Sequence, residues 1–386
     1  MYTLINWFFR KLSKNKNRGG SYNMGQKNIY VIYGDEPKTM VLEVLEKIKP
    51  EKDLSTEATI GIKPNLVVAK PSTSGATTSP ELVEGIIEYF QSRGYMNICI
   101  LEGSWIGDRT SRAFKVCGYE DISEKYYVPL VDLQKDSYQE CNVDGLKLNI
   151  CSKMKEIDYL INVPVLKGHC QTNITCALKN MKGCIPNSEK RRFHTMGLHK
   201  PIAYLSKAIK QDLIIVDGIM GDLNFEEGGN PVQMNRILVG TDPVMIDSYA
   251  ADLLGFDIKD IPYIEIAEEI GVGTTEWDKS SIIELNSDQS TEIKGKTGKV
   301  KMFTKYIEER DACSACYGSL IHALDRLRTS GQLGRINTKL YIGQYYRDKS
   351  IDNGIGIGQC TRKCPQYVPG CPPTARDIVK YLEDNI

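Results

Sequence analysis

The chain has 386 residues, of which 41% are hydrophobic and 25% charged, so it can bury a core and is not intrinsically disordered. Its 49 Lys and Arg side chains balance 49 Asp and Glu, and a net charge of zero argues against a nucleic-acid partner. No apolar run approaches the roughly 20 residues that a transmembrane segment needs.

The N-terminal segment is apolar over residues 4–9 and then basic, which is the reverse of a secretory signal. We expect residues 1–26 to be a disordered extension, or Met24 to be the working start; a weak amphipathic contact with a membrane surface is the alternative. Without an export signal, the 12 cysteines indicate a reducing, cytoplasmic location, where clustered thiols bind metal more often than they form disulfides.

Short apolar runs alternate with helical patterns from residue 28 to about residue 285. Helices are predicted at 40–48 and 80–90, around 112–116 and at 243–254, with Ser79 and Asp242 as N-caps. Strands are predicted at 29–33, 59–62, 97–101, 127–133, 146–151, 159–163, 213–216, 237–239 and 282–285. This alternation predicts an α/β fold with a mostly parallel, Rossmann-like doubly wound sheet.

A polar segment at residues 286–298, rich in Ser, Thr, Lys and Gly, predicts a linker. We therefore expect an α/β domain over residues 27–290 and a small cysteine-rich domain over residues 300–386.

Five cysteines fall in the C-terminal domain, in the pattern C-x2-C, 43 residues, C-x3-C-x6-C. A C-x2-C turn directs both sulfurs toward one metal or cluster, and the further thiols favour a four-thiolate site for [4Fe–4S] or zinc. Reduced, buried thiols without metal are the third alternative. The five are Cys313, Cys316, Cys360, Cys364 and Cys371.

The segment at residues 368–373, Val-Pro-Gly-Cys-Pro-Pro, resembles the cluster-binding motif of the nickel–iron hydrogenase small subunit and of its relative in respiratory complex I. That resemblance implies that Cys371 ligates a [4Fe–4S] cluster. We favour Cys313, Cys316, Cys360 and Cys371 as the four ligands, with Cys364 as a neighbour or an alternative ligand.

Polar side chains follow four of the predicted strands at the point where each strand ends. Ligands of open α/β sheets bind beyond the carboxyl ends of the strands, so these side chains are expected to converge on one pocket. Glu102 is either a general base or the partner of Lys63. The set is Lys63, Asn65, Glu102, Ser104, Lys167, His169 and Asp217.

Positive charge is concentrated near a helix predicted between residues 172 and 181. Lys167, His169, Lys179 and Lys182 would suit a phosphate or carboxylate there, and a solvated basic face is the alternative. The irregularly spaced Cys170, Cys176 and Cys184 are interpreted as buried thiols, with Cys176 inside that helix. Residues 228–231 are interpreted as a loop or the approach to a hairpin.

The chain resembles domain of unknown function family 362 over roughly residues 27–275. The motifs that carry the resemblance stand in the same order: Lys63-Pro-Asn65, Glu102-Gly-Ser104, Lys167-Gly-His169, Ala177 to Gly183, and Asp242-Pro243. The resemblance implies the α/β fold and an iron–sulfur module, as several members carry one, and it supplies no catalytic residue.

Three functions follow as hypotheses. The first is a redox protein, an oxidoreductase or electron carrier, whose [4Fe–4S] cluster exchanges electrons with a partner protein or a small anionic ligand. The second is a non-redox enzyme acting on an anionic small molecule, with a structural cluster. The third is a zinc-binding interaction module. Lys63, Asn65, Glu102, Lys167 and His169 are the candidate catalytic residues.

Overall fold

An eight-stranded sheet forms the centre of the protein, whose computed structural model describes residues 28–293 and 299–385. Its strands are β1 (Ile29–Tyr33), β2 (Ile60–Pro64), β3 (Ile98–Glu102), β4 (Leu130–Asp132), β7 (Tyr159–Val163), β10 (Leu213–Asp222), β11 (Pro231–Gly240) and β12 (Ile282–Glu284). They lie in the order β12-β1-β11-β10-β7-β2-β3-β4, and only the two pairings of β11 are antiparallel. The predicted mostly parallel α/β fold is confirmed.

Helices cover both faces of this sheet. Along β10, Leu213 and Ile215 face one apolar core, whereas Ile214 and Val216 face the other, as the two-residue period of a strand requires. The first core is closed by α1 (Pro37–Ile48), α2 (Pro80–Gln91), α3 (Thr110–Val116) and α4 (Tyr119–Tyr126). The second is closed by α6 (Asn187–Thr195), α7 (His199–Ala208), α8 (Pro243–Leu253) and α9 (Pro262–Glu269).

The helix starts confirm one predicted N-cap and correct another. Asp242 caps α8, because its carboxylate accepts hydrogen bonds from the backbone N–H groups of Val244 and Met245 at 3.0 and 3.1 Å. Ser79 precedes α2 but does not cap it, since its hydroxyl donates to the Glu81 carboxylate instead. Proline at the first turn, with its φ already suited to a helix, begins α1 three residues before the predicted start.

Several predicted elements differ in length or partner. The strand predicted at 127–133 shrinks to β4, because Tyr127 ends α4 in a left-handed conformation, φ 55°. Residues 146–151 do form a strand, β6 (Leu146–Cys151), but it pairs antiparallel with β5 (Tyr138–Val143) outside the main sheet.

The helix predicted between residues 172 and 181 is largely absent. The chain instead forms a small antiparallel ribbon of β8 (Lys167–His169) and β9 (Asn173–Thr175), followed by a single-turn helix, α5 (Ala177–Asn180). The prediction that Cys176 lies inside a helix is wrong, because this residue precedes α5. A helix this short offers no N-terminal anion site. Any anion binding by the predicted basic cluster therefore depends on its side chains.

The C-terminal residues form a second, four-stranded parallel sheet. Its strands are β13 (Ile307–Glu309), β14 (Leu340–Ile342), β15 (Ile355–Ile357) and β16 (Tyr367–Val368), in that order. They pack with α10 (Ser314–Thr329) and α11 (Ala375–Asn385) around a third apolar core that includes Leu320, Leu324 and Leu382.

The predictions for the extension at residues 1–26, for Met24 as a start and for residues 294–298 of the linker fall outside the described residues. The domain boundaries at residues 290 and 300 remain predictions. Among the described helices, none is long and apolar enough to cross a membrane.

Candidate functional site

A buried ion pair lies where β2 and β3 end. Lys63 Nζ is 2.9 Å from Glu102 Oε1, and both side chains are almost completely shielded from solvent. Lys63 also donates to the carbonyl of Pro64, while the Glu102 carboxylate accepts from the backbone N–H groups of Gly103 and Leu66, each at 2.7 Å. These contacts compensate both charges. Of the two roles predicted for Glu102, the geometry favours partner of Lys63 over general base.

An amide network continues from this pair. Asn65 Nδ2 donates to Asn180 Oδ1 at 2.9 Å, and Asn65 Oδ1 accepts from Lys167 Nζ at 3.1 Å. Lys167 also donates to the carbonyls of Ala76 and Glu226, so its three N–H groups are all engaged. Burial lowers the pKa of Lys167 to about 7. Lys167 therefore joins three chain segments at the crevice.

His169, Glu226 and Lys179 form the next cluster. Glu226 Oε2 lies 3.0 Å from His169 Nε2, and Glu226 Oε1 lies 2.5 Å from Lys179 Nζ. His169 Nδ1 accepts from the backbone N–H groups of Gln171 and Thr172, which requires the ring proton on Nε2. Burial lowers the pKa of His169 to about 4, so this imidazole is neutral at pH 7. Burial would raise the pKa of Glu226, but Lys179 and His169 hold it well below its usual range.

Glu226 reaches the crevice on the loop between β10 and β11. Asp222 fixes this loop, because its carboxylate accepts from the backbone N–H groups of Asn224, Phe225 and Asn230 at 2.8 to 2.9 Å. Residues 228–231 belong to the same connection, which confirms their interpretation as the approach to a hairpin.

Gln171 forms hydrogen bonds between this crevice and the cysteine-bearing part of the chain. Its side-chain amide donates to the carbonyl of Ala312 at 3.0 Å, and its amide oxygen accepts from the Ser314 hydroxyl at 2.8 Å. Both contacts flank Cys313, which directly precedes α10. Cys313 is thereby placed at the mouth of the α/β crevice.

A half-open cavity of about 70 Å³ lies between the two parts. It is lined by residues at the strand ends, by Cys313 and Ser314, and by three lysines. The lysines are Lys179, Lys182 and Lys190.

The structure brings the five candidate catalytic residues into one connected region, but only Asn65 and Glu102 line the cavity. Lys63, Lys167 and His169 lie behind them with their hydrogen-bonding groups engaged. Lys63, Lys167 and His169 therefore hold the residues around the cavity in place and do not line it themselves.

Two further expected members lie elsewhere. Asp217 is within β10, paired with Ile237, and its carboxylate accepts from the backbone N–H groups of Ser79 and Ile219. Burial raises the pKa of Asp217 to about 6. Ser104 donates to the carbonyl of Leu66 and does not line the cavity. The predicted convergence of Asp217 on the pocket was wrong, because β10 continues past Asp217 into the hairpin, whereas Ser104 lies next to the lining residues Gly103 and Trp105.

Four of the five C-terminal cysteines lie close together. Burial, together with the neighbouring thiols of Cys360 and Cys371, raises the pKa of Cys313 to about 11. The pKa of Cys316 is likewise raised by burial and then by the thiols of the other three. Cys364 is apart: burial raises its pKa, and its sulfur is paired with the backbone N–H of Ile351.

The four thiols match the donors of a [4Fe–4S] cluster in number and chemistry. Across residues 28–293 and 299–385, no three His, Cys, Asp or Glu side chains converge tightly enough to hold a single metal ion. Zinc is also bound by four thiolates, at a Zn–S distance of about 2.3 Å, so the donor set suits either zinc or a [4Fe–4S] cluster. Gly358 lies beside this group in the left-handed region, φ 87°, and a Cβ there would lie 3.8 Å from Cys316 Sγ, which is ordinary van der Waals contact.

Cys170, Cys176 and Cys184 are buried thiols, as predicted. Burial raises the pKa of Cys184 to about 12 and those of Cys170 and Cys176 well above their ordinary value. They are packing residues in an apolar environment.

Sequence reasoning missed several residues of the cavity. Glu226 lies in a Gly-rich loop without a recognised motif, and Trp105, Lys190 and His194 follow no strand-end pattern. Gly183 was predicted only as part of the family motif. The position of Gly183 next to Lys182 and to the charged crevice was the feature from which its place at the cavity could have been predicted.

Fold and site together define an α/β protein with a charged crevice, over which a separate sheet carries four clustered cysteines. The chain belongs to the family described as Domain of unknown function (DUF362), whose sequence pattern matches residues 60–252. The expected family resemblance is thus confirmed, whereas its iron–sulfur module stays a prediction.

Two further similarities were found. The chain is 26% identical over 224 residues to the thylakoid-associated protein sll1697 of Synechocystis sp., a match that covers 55% of this chain and 68% of that protein. It is also similar to the lactate racemase apoprotein from Thermoanaerobacterium thermosaccharolyticum, with 13% identity and a TM-score of 0.38. That match covers 58% of this chain and 56% of the racemase chain.

Proposed function

We propose that this protein binds a [4Fe–4S] cluster through Cys313, Cys316, Cys360 and Cys371 and carries out redox chemistry on a small anionic ligand in the crevice. When bound, such a cluster would supply transfer of one electron at a time. A reduced or oxidised partner protein would be the other party to that exchange.

The observation that carries the proposal is the position of Cys313. Its side chain lines the same cavity as Lys179, Lys182 and Glu226, so a ligand in the cavity would lie beside a cluster thiolate. Such proximity favours electron transfer, whereas a purely structural cluster could lie anywhere in the fold.

The residues of the crevice have defined parts in this proposal. Asn65 and Glu102 form the floor of the cavity, and Lys179 holds Glu226 at its wall. Lys63, Lys167 and His169 fix these groups from behind. Because the lysines outnumber the carboxylates at this surface, an anionic ligand is favoured.

Anaerobic purification tests the proposal directly. The protein should be brown, with a broad absorbance shoulder near ~400 nm, about four irons per chain and an electron paramagnetic resonance signal in one oxidation state. A colourless protein that contains one zinc and no iron would contradict it and would support the zinc-binding interaction module.

A non-redox enzyme with a structural cluster is the second candidate. It is supported by the three lysines that line the cavity, which could bind an anion without any electron transfer. An anaerobic redox titration separates the two, since a cluster that stays oxidised down to roughly −700 mV cannot serve as an electron carrier. The cytoplasmic location belongs to the proposal as well, because a free-thiol set of this size needs a reducing compartment.

A further inference from the structure

The cavity has more positive than negative groups at its surface. Three lysines, Lys179, Lys182 and Lys190, face two carboxylates, Glu102 and Glu226. Lys63 behind the wall pairs with Glu102, and Lys179 pairs with Glu226, so neither carboxylate is available to the remaining lysines.

Lys190 and Lys182 differ in what they contact. Lys190 Nζ donates to the carbonyls of Gly103 and Ser104 at 2.8 and 2.7 Å, but no described carboxylate lies within ion-pair distance. Lys182 has neither a hydrogen bond nor an ion pair among the described residues. An ammonium group at a half-buried site without a counter-ion is costly, which favours a bound anion.

Two buried nitrogens at the same cavity also lack partners. Neither Trp105 Nε1 nor His194 Nδ1 has a hydrogen-bond partner in the described part of the chain, although both atoms are shielded from solvent. His194 is 8% exposed as a residue, and the indole N–H of Trp105 can only donate. Buried polar nitrogens are rarely left unpaired in folded proteins, so the indole N–H is expected to have an acceptor, which His194 would share in the tautomer that carries its proton on Nδ1.

The volume limits the size of that acceptor. A cavity of about 70 Å³ accommodates about five water-sized positions, which is enough for one carboxylate or phosphate group but not for a whole nucleotide. The half-open shape allows the rest of a larger ligand to extend outward.

We infer that Lys182, Trp105 and His194 form an oxyanion-binding site that holds the carboxylate or phosphate group of the ligand. This inference deepens the proposed function and rests on it for the role of the ligand, whereas the binding itself is independent of any electron transfer. Lys182 supplies the charge, the indole N–H of Trp105 supplies a directed hydrogen bond, and His194 supplies a second one when its proton is on Nδ1.

The site also adjoins the cysteine loops. A Cβ on Gly107 would lie 3.1 Å from Trp105 Nε1 and 3.3 Å from Pro372 Cδ, so the residue that follows Cys371 packs beside the indole. Cys313 also lines the cavity, so an oxyanion bound there would lie near the segments that carry Cys313 and Cys371.

Calorimetric titration of the anaerobically purified full chain tests the site, with inorganic phosphate and acetate as separate probes. Wild-type protein should bind at least one of them, and the preferred probe identifies the head group. Lys182→Met should weaken that binding at least tenfold and Trp105→Phe at least threefold. Lys52→Met, which removes an exposed lysine, is the matched control and should bind as wild type does.

Absence of binding by both probes, or equal binding by Lys182→Met and Lys52→Met, would overturn the inference. Iron content is measured on every sample. Loss of anion binding with four irons present contradicts only the oxyanion site, whereas missing iron with intact anion binding contradicts only the cluster. If Lys182→Met does not fold, Trp105→Phe retains the charge and still tests the directed hydrogen bond.

Discussion

Lys63 and Glu102 form an ion pair whose nitrogen and oxygen are 2.9 Å apart, and Gly183 packs directly against both side chains. A Cβ at position 183 would lie 2.2 Å from Glu102 Oε1 and 2.6 Å from Lys63 Nζ. The absence of a side chain at Gly183 is therefore a condition for the pair. This explains in physical terms why a glycine follows Lys182 in the motif.

Replacement of Gly183 by alanine should destabilise the protein by about 3 kcal/mol, because the added methyl group must displace one member of a buried ion pair. Urea-induced unfolding of Gly183→Ala and wild type measures the effect. Gly334→Ala is the matched control, since nothing lies within 4 Å of its added Cβ. Equal losses in the two variants would contradict the argument.

Replacing either partner of the ion pair should lower the free energy of unfolding. Replacing both should lower it by less than the sum of the two single effects. Lys63→Met and Glu102→Gln are each expected to lose about 3 to 5 kcal/mol, because each leaves a buried group uncompensated. The double variant should be less destabilised than the sum of the singles, by at least about 1 kcal/mol. Unfolding free energies of the four proteins provide the cycle, and strict additivity would show that the two charges do not interact.

The main sheet was predictable because its strands are long apolar runs separated by amphipathic helices. Ile60–Pro64 and Tyr159–Val163 are examples, and both lie next to each other in the sheet. The strand Tyr138–Val143 was missed because it is mostly exposed and polar, so it shows no apolar periodicity. The strands of the second sheet have two or three residues each, which is too short for a pattern to be recognised.

The strand-end part of the candidate site was predictable from the rule that a polar residue ends a strand or directly follows it, and Lys179, Lys182 and Cys313 were predictable from the charge and cysteine patterns. Asn65 and Glu102 satisfy that rule and line the cavity. Glu226 does not, because it arrives on a hairpin loop whose position depends on the antiparallel pairing of β10 with β11. Such long-range pairing is not encoded in local periodicity, and neither are the hydrogen bonds that join Gln171 to Ala312 and Ser314 on either side of Cys313.

Acid should destabilise the protein partly through His169. Burial lowers the pKa of His169 from 6.5 to about 4, so between these values the unfolded chain binds the proton more tightly than the folded protein does. Stability from this group is present above pH 6.5 and is lost as the pH falls toward 4, by about 2 kcal/mol between pH 7 and pH 5.

Denaturant unfolding at pH 7 and pH 5 checks this expectation. His169→Gln should lose less stability on acidification than wild type does, whatever its stability at pH 7. His199→Gln, which removes a less buried imidazole, should retain most of the wild-type pH dependence. An unchanged slope in His169→Gln would mean that His169 titrates normally in the folded protein.

Single cysteine-to-serine substitutions should divide the five C-terminal cysteines into four ligands and one bystander. The variants Cys313→Ser, Cys316→Ser, Cys360→Ser and Cys371→Ser each remove one thiolate ligand. Each should therefore contain far less iron than a complete cluster, which has about four irons per chain. Cys364→Ser should retain wild-type iron and absorbance, since its sulfur is buried beside Ile351 and is not among the thiols that act on Cys313 and Cys316. It is the matched control, because it makes the same chemical change in the same part of the chain. Loss of iron in Cys364→Ser, with retention in any of the other four, would assign the ligands differently.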